Sequence, residues 1–275
     1  MLIKKIIKKV KRTFLEFKVV SQNSSFYNVS SFDNSEPIFV VCNGPSIKEE
    51  ENGVLAKLNA KQTIIVNEGF RNEFINSLQP LFHIIVDPAY FVDSNAEFIT
   101  SMRKYMDTHI NTFFVFPSHF AEFVYNYFGH DRKYIFIKSE RCRGKTKRIR
   151  KISLFKKIPQ YQIVMNLAIE LAMCIGFKRI VLIGCDTTGL LENYIRRPYK
   201  PNASFGHSYK YSKEEANKTT NPIDNTTMLQ GFWYAFICSK CIEEYARNNN
   251  VSIVNSSKTT ALDVFKFTNL SDELL

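Results

Sequence analysis

Short apolar runs alternate with longer amphipathic segments along most of the chain. Seven runs have the length and the β-branched or aromatic content of buried strands: Ile38–Cys42, Thr63–Val66, Leu81–Val86, Thr112–Phe116, Tyr134–Ile137, Arg179–Ile183 and Val251–Val254. Between them, apolar residues recur at helical spacing in six segments: 46–58, 70–77, 94–107, 118–128, 161–175 and 227–248. This alternation predicts an α/β fold built on a single doubly wound, mostly parallel, Rossmann-like sheet with helices on both faces.

Two long stretches, 138–158 and 187–226, have no clear periodicity. Loops of this length in a compact domain are usually functional lids or disordered segments. We expect residues 187–226 to form a lid, and we divide the chain into an N-terminal segment, 1–36, and an α/β domain, 37–275.

The net charge of +11 is concentrated in two segments. Residues 1–18 contain seven Lys or Arg and one Glu, and residues 141–157 contain nine Lys or Arg and no acid, so the remainder carries 11 − 6 − 9 = −4. A nucleic-acid-binding protein usually spreads basic residues over one face, and no helix-turn-helix, zinc-finger or RNA-binding signature is present. We therefore do not expect a nucleic acid as partner. The basic stretch 141–151 is expected to bind an anionic acceptor or lipid phosphates, with a solvated loop as the alternative.

The first eighteen residues have the pattern of a basic amphipathic helix, with apolar residues and lysines alternating at helical spacing. Such a helix binds an anionic membrane surface, and the alternative is an ordinary helix that packs on the domain. The six cysteines are scattered, which favours a reducing compartment. We expect a cytoplasmic protein of bacterial type, peripheral on the inner face of the cytoplasmic membrane.

Polar residues follow several predicted strands, where open parallel sheets bind their ligands. Asn43-Gly44-Pro45-Ser46 follows the first strand, Asn67 the second, Asp87 the third and Asp186 the sixth. The first of these is a tight turn whose backbone N–H groups are expected to face an anion, although a plain turn explains it equally well. Asn67 and Asp87 could instead cap the next helices. Neither a GxGxxG motif nor a P-loop is present.

The predicted lid contains the candidate catalytic base, His207, between Gly206 and Ser208. Its unperturbed pKa of about 6.5 suits proton abstraction from a hydroxyl near neutral pH. The same loop contains Tyr194, Arg196 and Arg197, which can stabilise a developing phosphate charge. The other four histidines, including His83, are expected to be structural. Neither HxxH, HExxH nor a pair of CxxC motifs is present, and the single Cys238-x-x-Cys241 lies in a predicted helix, where a role in the core is expected, so we expect neither a metal nor another cofactor.

The ordered set of these motifs resembles the bacterial sialyltransferases that modify lipooligosaccharide. It is also similar to the sialyltransferase-like domain of the motility-accessory-factor glycosyltransferases that act on flagellin. The likeness extends over roughly residues 37–265. It rests on the turn at 43–46, on Asn67 and Asp87-Pro88, on the segment 176–180 that runs into the turn at 184–186, and on Gly206-His207-Ser208.

This resemblance implies a GT-A-like fold and a metal-independent, inverting transfer of a nonulosonic or related sugar from a CMP donor. The acceptor would be a surface glycan or a lipid-linked glycan. Asn43 and Asn67 would contact the nucleotide sugar, Tyr194 and Thr188 would bind the donor phosphate, and His207 would be the base. The turn residues Gly44, Pro45 and Ser46, with Asp87 and Asp186, complete the predicted donor site.

The sequence departs from that family at the start of the helix before Gly176, where Ile163-Val164-Met165 replaces Thr-Ser-Gly. Gln162 or Asn166 would then supply the missing donor contact. Two rivals remain open: a hydroxymethylpterin diphosphokinase of archaeal type, which has a related fold, and a non-catalytic scaffold in glycan assembly. Whether the chain forms a homo-oligomer is also left open.

Overall fold

Eight parallel strands form one open sheet in the computed structural model, which describes residues 32–50, 52–141, 158–160, 163–188 and 225–275. In sheet order the strands are β10 (Lys266–Phe267), β9 (Ser252–Asn255), β8 (Arg179–Ile183), β1 (Ile38–Val41), β2 (Gln62–Val66), β3 (Phe82–Ile84), β4 (Phe113–Pro117) and β5 (Tyr134–Ile137). Every pair is parallel, as in β1, where Ile38 is opposite both Gln62 and Ile180. The predicted α/β sheet is confirmed.

Seven α-helices accompany the sheet in the described residues. They are α1 (Asn52–Ala56), α2 (Glu73–Ser77), α3 (Ala96–Thr108), α4 (Ala121–Phe128), α5 (Val164–Ile175), α6 (Asn225–Asn248) and α7 (Leu270–Glu273). Short 3-10 helices add Pro45–Glu49, Lys57–Ala60, Asn67–Arg71, Pro88–Tyr90 and Ser118–Phe120. None of the helices within the described ranges is both long and apolar enough to cross a membrane.

Alternate residues of the central strands pack into separate cores on the two faces of the sheet. In β1, Phe39 and Val41 pack on one face with residues of α1 to α4 and α7, whereas Ile38 and Val40 pack on the other face with α5 and α6. Because both faces are covered, the strands are apolar at nearly every position, which is why the sequence shows continuous apolar runs. The sheet is therefore doubly wound.

The structure differs from the predicted elements mainly in their lengths. The helix predicted over 46–58 is divided, because Glu50 is extended (φ −77°, ψ 145°) and ends the 3-10 helix of Pro45–Glu49. The helix predicted over 70–77 is shortened because Asn72 is extended, and its side chain caps α2 by accepting from the N–H groups of Phe74 and Ile75.

Three short strands were not predicted. β6 (Ser139–Arg141) and β7 (Ile158–Gln160) form a separate two-stranded parallel sheet, and β10 lies at one edge of the main sheet. Their sequences are two or three residues long and mostly polar, so they carry no apolar pattern. The predicted lid, 187–226, and the N-terminal segment lie almost entirely outside the described residues.

The strand order reverses at the boundary between β1 and β8. From β1 the chain builds β2 to β5 on one side, and it later returns to place β8 directly beside β1. In open parallel sheets this switch point leaves a crevice at the carboxyl ends of the two strands, where ligands bind. We call the segments 42–46 and 184–188, which follow β1 and β8, the junction.

Candidate functional site

The junction continues the pairing of β1 and β8 past the ends of the strands. Cys42 donates its backbone N–H to the carbonyl of Ile183 at 2.8 Å, and Gly44 donates to the carbonyl of Gly184 at 2.9 Å. A Cβ on Gly44 would lie 2.4 Å from the Gly184 oxygen and 2.5 Å from the Asp186 carboxylate. Only glycine permits the two segments to approach this closely.

The buried carboxylate of Asp186 links the two segments of the junction by hydrogen bonds. Asp186 accepts the backbone N–H of Ser46 at 2.7 Å with Oδ2 and the Ser46 hydroxyl with Oδ1. Both side chains are almost completely buried. The N–H that begins the Pro45–Glu49 turn is therefore already satisfied by a negatively charged group of the protein itself.

This arrangement corrects the expectation that the turn leaves its first N–H groups free for an anion. Asp186 occupies the position that a phosphate would take at Ser46, and its charge would repel one there. Gly44, Pro45 and Ser46 thus shape the junction together with Asp186. The sequence showed these residues but not that they face each other across 140 positions of the chain.

The two asparagines predicted to contact a nucleotide sugar use their amides to join neighbouring strand ends. Asn43 donates Nδ2–H to the carbonyl of Val66 at 3.2 Å, and its buried Oδ1 has no hydrogen-bond partner in the described part of the chain. Asn67 accepts the N–H of Val86 with Oδ1 at 3.3 Å and has a left-handed backbone (φ 46°), which Asn tolerates better than most residues. Both asparagines lie at the carboxyl edge of the sheet, as predicted, and each amide bonds to the backbone at the end of a neighbouring strand.

A completely buried histidine, His83 in β3, hydrogen-bonds to the backbone of Asn67. His83 donates Nε2–H to the Asn67 carbonyl at 2.7 Å, and its Nδ1 finds no partner among the residues described. Burial lowers the pKa of His83 to about 3, and the hydrogen bond to Asn67 only partly opposes this effect. His83 is therefore neutral at physiological pH, and its structural role agrees with the sequence analysis.

Asp87 is the exposed carboxylate of this edge. Its Oδ1 accepts the N–H of Ala89 at 2.9 Å and caps the Pro88–Tyr90 turn, as the capping alternative predicted. At the end of β2, Glu68 is buried and pairs with Arg71 at 2.8 Å, and Arg71 reaches Glu97 at 3.5 Å. The sequence analysis missed this pair. Its only local signal is the spacing of three residues between an acid and a base, which places them on the same side of a helical turn.

The loop that follows β9 supports the junction from the other side. Cys185 donates its N–H to the Ser257 hydroxyl at 2.7 Å, and its carbonyl accepts the Thr260 hydroxyl at 2.9 Å. Ala261 donates its N–H to the Asp186 carbonyl at 2.7 Å. Burial is the main cause that raises the pKa of the Cys185 thiol well above its usual range, so the thiol stays protonated. These supports could not be found from sequence, because 70 or more residues separate them from the junction.

Asn166 does not lie free at this edge. It is completely buried in α5, where its Nδ2 donates to the Ala235 carbonyl at 3.4 Å and its Oδ1 accepts the Ser239 hydroxyl at 3.0 Å. Both amide atoms are engaged with α6, so the structure corrects its assignment as a donor contact. Ile163 is the extended residue before α5 and Val164 is its first residue; both are partly buried.

Of the remaining predicted site residues, only Thr188 belongs to the described part of the chain. Gln162, Tyr194, Arg196, Arg197 and His207 lie outside the described residues. Thr188 is partly buried at the end of the described segment after β8. Within the ranges that the structure describes, no group of three or more His, Cys, Asp or Glu could hold a metal ion.

Comparison with known proteins gives one finding. No curated protein and no solved structure matches the chain. A family model described as "6-hydroxymethylpterin diphosphokinase MptE-like" matches residues 11–189, which is 179 of the 275 residues. This match is compatible with a transferase-type protein, and it agrees with the diphosphokinase alternative better than with a sialyltransferase, a CMP-sugar donor or lipopolysaccharide synthesis. The chain belongs to the MptE-like family.

Proposed function

We propose that the protein is a nucleotide-dependent transferase that moves a diphosphoryl group onto the hydroxymethyl group of a pterin. The observation that carries this proposal is the family match over residues 11–189, which covers β1 to β8 and hence both sides of the junction. The donor would be a nucleoside triphosphate that binds at the carboxyl edge of the sheet beside the junction.

In this reaction the hydroxyl oxygen of the pterin attacks the β-phosphorus of the triphosphate. The bond between the β-phosphorus and the oxygen bridging to the α-phosphate breaks, a nucleoside monophosphate leaves, and the hydroxyl proton passes to a base. Phosphoryl transfers of this kind depend mainly on positioning and on neutralising the phosphate charge.

Asp87 is the described residue that best fits a role beside the phosphates. Its carboxylate is exposed at the edge, and within the described residues only Oδ1 has a hydrogen bond, from the N–H of Ala89. A Mg²⁺ ion that accompanies a triphosphate is usually bound by one or two carboxylates and by phosphate oxygens, and it would neutralise their charge. Asp186 does not fit this role because Ser46 occupies both of its oxygens.

Nucleotide-dependent thermal stabilisation tests the proposal. ATP, GTP, CMP and CDP are compared with Mg²⁺ and with EDTA; a ligand at 100 times its dissociation constant adds about 2.7 kcal/mol to the free energy of unfolding. We expect stabilisation by a triphosphate with Mg²⁺, reduced in Asp87→Asn and unchanged in the control Asp131→Asn, which lies before β5 at the opposite edge. Release of the nucleoside monophosphate should require 6-hydroxymethylpterin. No triphosphate binding and no release would refute the proposal.

A second candidate is metal-independent transfer of a CMP-activated sugar. It is supported by the shared location of Asn43, Asn67, Asp87 and Asp186 at one edge, which is the arrangement that the sialyltransferase resemblance requires. Stabilisation by CMP in EDTA, with loss of turnover but not of CMP binding in His207→Ala, would favour this candidate. A protein that responds to none of the nucleotides would instead fit the scaffold reading.

A further inference from the structure

A cleft opens beside the junction, between the loops that follow β9 and β10 and the segment after the Pro45–Glu49 turn. Its volume is about 560 Å³, within the range of about 300–1,000 Å³ typical of small-molecule sites. Six lining residues matter here: Glu50, Val54, Lys258, Phe267, Asn269 and Leu270. All except Glu50 and Val54 follow residue 189, where the family match ends.

The cleft contains the carboxylate of Glu50, for which the described residues supply no hydrogen-bond donor. The Glu50 side chain is only 6% exposed, and among the described residues its one charged neighbour is Lys258, whose Nζ lies 3.6 Å from Oε2. This distance exceeds that of a hydrogen bond. A carboxylate at the wall of a cleft exchanges its water contacts for hydrogen bonds when a ligand displaces the water, so the ligand has to present donors to it. A ligand with N–H groups would supply them.

The charges around Glu50 favour a neutral ligand over an anion. Lys258 already donates to the Glu49 carbonyl at 2.6 Å and faces the Glu50 carboxylate. The Glu49 carboxylate is also close, since it accepts the hydroxyl of Thr259, the next residue after Lys258. One ammonium beside two carboxylates leaves no positive charge to attract a phosphate.

Three apolar residues of an otherwise polar lining offer a surface for a flat ring. Phe267 exposes 53% of its surface in the edge strand β10, which is unusual for so large an apolar side chain. Val54 and Leu270 add aliphatic surface to the same cleft. Exposed aromatic faces stack on planar heterocycles, and each such stack contributes measurably to affinity.

We propose that this cleft binds the ring of a planar nitrogen heterocycle, with an amino group and the adjacent ring N–H both donating to the Glu50 carboxylate. Pterins and guanine share this edge. The inference rests on the proposed function only in making a pterin the expected source. The cleft adjoins the junction, because Ser257 on its wall accepts the N–H of Cys185, next to Asp186.

Direct binding to the full-length chain tests this assignment without turnover. The dissociation constant of 6-hydroxymethylpterin is measured from its own fluorescence, and guanosine and adenosine compete for the site. The 2,4-dioxo analogue of the pterin, which has an oxygen in place of the amino group, tests the contact from the side of the ligand. We expect the analogue to bind at least about tenfold more weakly, since it replaces one donor to a charged acceptor.

The variants Glu50→Gln and Phe267→Ala should each weaken pterin binding about tenfold or more. Glu122→Gln on α4 and Trp233→Ala on α6 are matched controls, because both side chains are exposed outside the cleft, and they should leave binding unchanged. Thermal unfolding of each variant verifies that it is folded. If Glu50→Gln does not fold, the analogue alone still decides the contact.

Each outcome separates this inference from the proposed function. Competition by guanosine as strong as by the pterin, with the same dependence on Glu50, would support the site and assign it to the base of a donor nucleotide. Binding without turnover would support the site and count against diphosphoryl transfer. Turnover that is insensitive to Glu50→Gln and to the analogue, or the absence of any binding, would overturn the assignment.

Discussion

At the scale of single residues, the junction depends on two chain segments lying closer than ordinary side chains allow. The Asp186 carboxylate replaces water as the acceptor for Ser46, and it reaches that position only because residue 44 has no Cβ. Gly184 contributes to the same contact with a left-handed backbone (φ 64°) beside Ile47. The polar interior of the junction is therefore a consequence of glycine positions.

Gly44→Ala should lower the free energy of unfolding by about 1–3 kcal/mol, since the new Cβ meets the backbone oxygen of Gly184 and the Asp186 carboxylate. Urea unfolding measures the change. Gly53→Ala is the matched control, because a Cβ added at Gly53 in α1 would meet no atom within 4 Å and alanine favours a helix there. Equal stability of the two variants would contradict the close approach.

His83 makes the stability of the protein depend on pH. Its pKa is about 3 in the folded chain and about 6.5 when unfolded, so below pH 6.5 the unfolded state binds a proton that the folded state does not. Stability from this group is complete above pH 6.5 and falls as the pH decreases toward 3. The free energy of unfolding should be about 2 kcal/mol lower at pH 5 than at pH 7.5.

His83→Gln should flatten this dependence, whereas His130→Gln, which removes an exposed ring, should retain it. The interval from pH 7.5 to 5 also avoids the titration of the partly buried Glu273. Burial raises the pKa of Glu273, but the hydrogen bonds from Arg179 and Thr268 lower it by more, so that its pKa lies below the usual 4.5. If His83→Gln does not fold, NMR titration of the unmodified chain should show one histidine ring still neutral at pH 4.5.

At the scale of elements, a polar contact fixes α5 against α6. Asn166 is completely buried and bonds to both Ala235 and Ser239, and the Ser239 hydroxyl oxygen also lies 2.9 Å from the Ala235 carbonyl oxygen. A buried amide with both ends satisfied specifies one register between two otherwise apolar helices. These helices cover the face of the sheet that contains Ile38 and Val40.

Asn166→Ala should cost about 1–3 kcal/mol of stability, because it removes a buried hydrogen-bond partner and leaves a small cavity. The affinity for whichever nucleotide binds should stay unchanged, as expected for a residue that acts between helices. Asn249→Ala, at an exposed amide just after α6, is the control for both measurements. Loss of nucleotide affinity with unchanged stability would restore Asn166 as a ligand contact.

At the scale of the whole molecule, the net charge of +11 comes from two basic segments, 1–18 and 141–157, since the rest of the chain is slightly acidic. Apart from Arg141, both segments lie outside the described residues. We propose that residues 1–18 attach the protein to an anionic membrane surface. Each basic residue near such a surface contributes about 1 kcal/mol, and apolar residues of the segment would insert between the lipids. The cytoplasmic leaflet and a lipid-linked acceptor remain parts of this proposal.

Deletion of residues 1–18 should greatly reduce co-sedimentation with vesicles that contain anionic lipid, and vesicles of neutral lipid serve as the control. Added salt should weaken binding of the full chain, because it screens the charges. A deletion variant that binds vesicles normally but unfolds at lower urea concentration would support the alternative, a helix that packs on the domain.

The sequence by itself determined the α/β class, the positions of seven strands of the main sheet and the edge where polar residues collect. Strands buried on both faces must be apolar throughout, and the turns that end them need Gly, Pro, Asn or Asp, so both signals are local. The two-residue strand β10 was not predicted, and the helix predicted over 46–58 is divided in the structure. Elements this short contain too few residues to show a periodic pattern of apolar positions.

Only the tertiary structure decided which polar groups meet. Asp186 satisfies Ser46, His83 supports Asn67, and Asn166 joins two helices, each across a separation of 16 to 140 residues. The cleft at Glu50 likewise needs the loops after β9 and β10, far along the chain. A side-chain type suggests what chemistry is available at a position, whereas its partners depend on strand order and on contacts between segments that are distant in sequence.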